Sequence, residues 1–211
     1  MPAAELILVR HGETAWNREG RMQGHTDIPL SEEGFAQAEA LAARLAEEAF
    51  DALWSSDLQR ARQTAERVAR RTGHRVAVDP RLRERNLGVL QSFTREESAR
   101  VHPEVFDRYQ RGEADYAIPG GESARQFSAR ALGALTEIAQ GLAGGRAVVV
   151  CHGGVLDVLY RAAAGEGPGG PRRTTLLNAS VNTFRYREGR WSLFLWGDIS
   201  HLGRDRALDD V

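Results

Sequence analysis

"RAVVVCHGG", residues 146–154, places five apolar side chains between an arginine and a histidine–glycine pair. A run this short and rich in valine reads as a strand buried on both faces, the pattern of a parallel sheet. A second stretch follows the same order. In "ELILVRHGETAWN", residues 5–17, an apolar run delivers Arg10, then His11, then Gly12. If the two strands are parallel neighbours, His11 and His152 come together outside the carboxyl ends of the strands, where open α/β sheets bind ligands.

Working outward, strand and helix signals alternate. Ser31 is placed to cap a helix over residues 31–49, with Phe35, Ala38, Leu41, Ala42 and Leu45 at helical spacing. Residues 50–56 read as a strand, Asp57 as the cap of a helix over 58–71, and Gly73 as its stop. A third strand over 75–78 is halted by Pro80, and residues 81–93 read as loop. Helical patterns return at 94–110 and at 122–143, the latter ending in "AGG". A further helix runs to Ala164, and the Gly/Pro loop "GEGPGGPRR" follows at 165–173. Two alternating runs around Glu188-Gly189 predict a C-terminal β-hairpin. The expected architecture is α/β, a three-layer α/β/α sandwich with a mostly parallel central sheet. No repeat or linker divides the chain, so residues 1–211 are expected to form one domain, with a cap-like insertion around 88–125.

Composition narrows the function. The 211 residues carry a net charge of −1, so no global field points to nucleic acid or an anionic membrane. Hydrophobic residues at 42% and charged residues at 27% suit a globular protein. No stretch approaches the roughly 20 apolar residues of a membrane span, and "MPAAELILVR" is not expected to act as a signal peptide. The lone cysteine, Cys151, rules out an intrachain disulfide and fits a cytoplasmic protein. It ends a buried strand beside His152, and alternation points the two side chains to opposite faces, so it reads as core.

The third strand end, Ser55-Ser56, is followed by a helix that brings Arg60 and Arg62. Two histidines and at least two guanidiniums would therefore converge on one place. A guanidinium fork matches phosphate oxygens, and glycines after the strands let a ligand approach the backbone. Spacing alone does not choose between Arg60 and Arg62, which leave a helix in different directions.

These segments, with "GRMQGHTDIPLSEEGFAQA", "LRERNLGVLQ" and "PGGES" in order between them, resemble the histidine phosphatase superfamily, which contains the cofactor-dependent phosphoglycerate mutases. The resemblance runs from residue 6 to about 202. It implies that His11 is a nucleophile phosphorylated on its imidazole, that Arg10, Arg60 and His152 clamp the phosphoryl oxygens, and that Glu84 acts as acid and then base. It further implies phosphate contacts from Asn17, Gln23, Gly24 and Gly153. Arg62, His25, His74, His102 and His201 match no functional position and read as surface or structural, and Trp16 and Phe35 as packing. The physics of phosphoryl transfer agrees: fixed positive donors stabilise the spread negative charge, and a neutral histidine is favoured between two arginines.

The resemblance is to the phosphatase branch, because the segment after Glu84 is short and lacks a proline-rich tract. The expected activity is a metal-independent phosphomonoesterase acting on a small phosphorylated metabolite, without cofactor. The alternatives are a phosphoglycerate mutase using 2,3-bisphosphoglycerate, and a silent phosphate-binding module, which the intact residue set disfavours. Ser92 stands where the family often has glycine. Selectivity is expected from residues 94–125 and the chain after 174. The apolar hairpin leaves an edge strand through which a homodimer can form.

Overall fold

The computed structural model describes residues 3–203 and 208–209; Met1 and Pro2, where the N-terminal reading begins, lie outside them. The elements are β1 (Ala4–Arg10), α1 (Ala15–Arg18), α2 (Glu32–Leu45), β2 (Ala52–Ser55), α3 (Gln59–Thr72) and β3 (Val76–Val78). They continue with α4 (Arg95–Val101), α5 (Pro103–Gln110), α6 (Ala124–Gly141), β4 (Arg146–Cys151), α7 (Gly153–Ala164), β5 (Val181–Arg187) and β6 (Arg190–Asp198).

The sheet order is β3-β2-β4-β1-β5-β6. β3, β2, β4 and β1 run parallel, and the hairpin β5-β6 is antiparallel, joined to the sheet through β1. The expected three-layer sandwich is therefore present. Strand alternation sorts its core into two. Leu6, Leu8, Ala147, Val149 and Cys151 pack with α6 and α7 on one face. Ile7, Val9, Val148 and Val150 pack with α2 and α3 on the other. Fully buried, each leucine or valine stabilises the fold by roughly 1.5–3 kcal/mol, so the two central strands anchor both layers.

Caps and turns set the element ends. The Ser31 hydroxyl accepts the Gly34 amide at 3.1 Å, and Gly73 closes α3 in the left-handed region with φ 77°. Asp57 does not cap α3. Leu58 holds that position without a side-chain bond, and Asp57 instead receives Arg83 at 2.7 and 2.6 Å. The expected loop 81–93 contains two short 3-10 turns, Pro80–Leu82 and Gly88–Leu90. Helix α6 stops at Gly141, two residues before its predicted end, because Ala143 and Gly144 take positive φ. Met22 and four residues after Glu84, namely Leu87, Leu90, Phe106 and Ile118, build a separate small cluster.

Strand β6 is the outer edge. Phe194 is 63% exposed, and Arg185 lies over its ring at 4.0 Å. Two register irregularities interrupt the β5-β6 ladder, and Gly197 has φ 67°. Bulges of this kind blunt an edge against strand addition. Among the described residues no helix is long and apolar enough to cross a membrane.

Candidate active site

The pairing of β1 with β4 puts Arg10 opposite Cys151, so the residues that follow each strand are brought side by side. The His11 amide donates to the Cys151 carbonyl at 3.0 Å, and the His11 and His152 rings lie 5.2 Å apart. The glycines after these strands are occupied by protein. A Cβ on Gly12 would meet the Gly34 carbonyl at 2.5 Å, and one on Gly154 would meet a Glu84 carboxylate oxygen at 2.1 Å. The space a side chain would need at these two positions is taken by helix α2 and by the carboxylate.

His11 is 3% exposed. Its Nδ1 stands 2.7 Å from the Gly12 carbonyl oxygen, which can only accept, so Nδ1 carries the proton and the Nε2 lone pair is left for chemistry. Burial, then the charges of Arg60 and Arg10, holds the His11 pKa well below the usual 6.5, and the Gly12 bond only partly opposes this. His152 is wholly buried, and its pKa is pushed down by burial and by Arg60, His11 and Arg10. Neither ring nitrogen of His152 has a hydrogen-bond partner among the described residues. Leaving such a polar group unsatisfied costs roughly 1–3 kcal/mol.

Arg10 and Arg60 are each 1% exposed. Arg10 donates to the carbonyls of Leu176 and Leu208, and Arg60 to those of Thr26 at 2.9 Å and Gly24 at 2.8 Å. Arg62 points away and pairs with Glu66. Glu84 is held by backbone: one carboxylate oxygen accepts the Gly154 amide at 2.9 Å, the other the Arg85 amide at 2.7 Å. The neighbouring arginines are engaged elsewhere, Arg81 with Asp79 and Glu137, Arg83 with Asp57, and Arg85 with the Glu122 carbonyl.

Arg10, His11, Arg60 and Glu84 border a cavity of about 640 Å³, whereas His152, wholly buried behind them, is not in its lining. Its lining includes Arg10, His11, Gln23, Gly24, Arg60 and Glu84. Gln23 is buried, and its side-chain oxygen has no partner among the described residues. Asn17 and Gly153 do not line the cavity. Asn17 closes a capping box with Thr14, its side-chain oxygen accepting the Thr14 amide at 3.0 Å, and Gly153 is the first residue of α7. Gly154, one of the glycines expected to admit a ligand, lines the cavity, and lining residues that sequence reasoning passed over are Arg21, Arg85, Arg95, Asp157, Arg161 and Arg172. Arginines thus far outnumber the two carboxylates, Glu84 and Asp157. Arg85 and Arg95 make no ion pair among the described residues and rest near the Tyr109 and Phe106 rings. His25, read as surface or structural, has its Nε2 donating to the Glu84 backbone carbonyl at 2.8 Å. Among the described residues no group of three His, Cys, Asp or Glu is placed to hold a metal ion.

Comparison with known proteins fits this geometry. The family model of the histidine phosphatase superfamily (branch 1) matches residues 6–199. The chain is 42% identical to a metal-independent phosphoserine phosphatase of Arabidopsis thaliana, covering 94% of this chain and 83% of that protein. It is 39% identical to a probable phosphoglycerate mutase, GpmB, of Escherichia fergusonii, covering 98% of each. Among solved structures, the mycobacterial glucosyl-3-phosphoglycerate phosphatase Rv2419c superposes with a TM-score of 0.79 at 32% identity, over 92% of this chain and 99% of that one.

Proposed function

The chain belongs to branch 1 of the histidine phosphatase superfamily, and from that premise we propose that it hydrolyses a small phosphomonoester through a phosphohistidine on His11. The observation that carries this reading is the tautomer of His11: a buried, neutral imidazole whose Nε2 lone pair is left at a cavity lined by Arg10 and Arg60. In the first step Nε2 attacks phosphorus, the ester P–O bond breaks, and the leaving oxygen takes a proton from Glu84. In the second, water attacks the phosphohistidine, gives a proton to Glu84, and the N–P bond breaks to release inorganic phosphate. Arg10 and Arg60 balance the phosphoryl charge in both steps, and the neutral His152 ring beside His11 serves as a hydrogen-bond donor. No metal is assigned a part, in keeping with the name of the metal-independent Arabidopsis relative.

Substrates are small phosphorylated compounds. The cavity is larger than a phosphoryl group requires, and Arg85 and Arg95, which neutralise no carboxylate among the described residues, favour a body bearing a second anionic group, as in a phosphorylated carboxylate. Residues 88–125 serve as a cap over this end of the sheet. The single buried Cys151 supports a cytoplasmic setting.

Phosphate release in excess EDTA, from a panel of phosphomonoesters, tests the reading. Native protein should release phosphate, and His11→Ala should lose at least about a thousandfold in kcat. Faster interconversion of 2- and 3-phosphoglycerate with 2,3-bisphosphoglycerate than hydrolysis of any ester would replace the hydrolase by a mutase.

A further inference from the structure

Two loops far apart in sequence meet at the rim of the cavity. One is the turn after α5, and the other is the Gly/Pro loop at 165–173. The Gly170 amide donates to the Gly112 carbonyl at 2.8 Å. A Cβ on Gly112 would lie 2.4 Å from the Gly170 nitrogen, and one on Gly169 would lie 2.4 Å from the Gly112 oxygen. The contact is therefore backbone on backbone, with no room for a side chain on either side. Gly112, Gly169 and Gly170 have φ of 64°, 91° and 81°, which glycine alone adopts without strain.

A lone hydrogen bond between neutral groups is too weak to hold a loop of this length against its conformational freedom. Arg161 of α7 supplies the rest. Its guanidinium donates to the carbonyls of Gly169 at 2.5 Å and Pro171 at 2.8 Å, while its Nε pairs with Asp157 at 2.7 Å. The side chain is 10% exposed, and its donors are directed at the loop. Gly112, Gly169, Gly170 and Pro171 all line the cavity, so the seated loop is one of its walls.

We propose that Arg161 is a positioning residue that seats the 165–173 loop against Gly112, making a wall that limits the length of phosphomonoester the site admits. This rests on the phosphatase reading above. The test compares kcat/KM for a nucleoside 5′-monophosphate with kcat/KM for phosphoserine in the native protein, Arg161→Ala, Arg161→Lys and Gly112→Ala. Loss of the wall should raise the long-to-short ratio about tenfold or more in Arg161→Ala and Gly112→Ala, chiefly through KM for the long ester, with partial return toward native in Arg161→Lys. A merely structural role would lower both substrates in parallel and leave the ratio unchanged. If Arg161→Ala does not fold, Gly112→Ala decides, because it opens the same contact from the outer turn. A ratio within about threefold of native in Gly112→Ala overturns the proposal. Absence of phosphate release from any ester by the native protein would instead overturn the phosphatase reading, and the wall with it.

Discussion

The Gly154 position shows how narrowly the site is built. Its missing side chain is the space taken by Glu84, whose carboxylate is fixed by the amides of Gly154 and Arg85. Gly154→Ala should displace the carboxylate and lower kcat by about a hundredfold, the scale of a lost general acid, and a thermal melt should show the variant still folded. For His11, burial and two arginine charges oppose protonation, so NMR titration of the native protein should find the ring neutral at about pH 6, where a free histidine is mostly charged. Titration near the ordinary value would remove the basis for a neutral nucleophile. His11, His152 and Arg10 were legible because each ends or follows an apolar run, where chain direction alone delivers it to the sheet edge. The Glu84–Gly154 fit was not, since no local pattern couples residues that distant.

At the level of elements, strands and helix starts followed the sequence closely, since apolar runs and Ser caps act within a few residues. Ser31 and Ser123 cap α2 and α6 through their hydroxyls. Asp57 failed as a cap because Arg83, across the chain, offered two charge-assisted bonds instead of one helix amide. Asn17 met the reverse fate: a residue expected at phosphate is engaged in closing the turn of α1. Ser92 has φ 76°, which explains why the loop favours glycine at this point. Relief of a left-handed serine, offset by the greater freedom of glycine when unfolded, should make Ser92→Gly more stable by about 0.5–1 kcal/mol. Urea unfolding midpoints would measure it, and a destabilised variant would show that the loop bears no such strain.

Across the molecule, buried histidines tie stability to pH. His11 and His152 are held well below 6.5 by burial first, and His201 is lowered to about 4 by burial and then by the charge of Arg44. Between those lowered values and 6.5 the unfolded chain binds more protons than the folded one, so stability rises with pH and is lost as pH falls. Calorimetry from neutral pH toward about pH 4 should show the melting temperature falling by about 5 °C or more, with a shallower slope in His201→Gln. A flat profile would contradict the buried neutral rings. The sandwich was readable from alternating strand and helix signals, whereas the Gly112–Gly170 contact was not, because it joins two loops by backbone alone. The placement of β1 has a consequence in time. Its parallel partner is Arg146–Cys151 and its antiparallel partner Val181–Arg187, so both strand neighbours of the first strand are made late. During synthesis, Arg10 and His11 leave the ribosome early and wait, unpaired, while more than a hundred residues follow. The surroundings of His11 are thus completed only by the final third of the chain, and a prematurely terminated product carries that histidine without the strands that bury it.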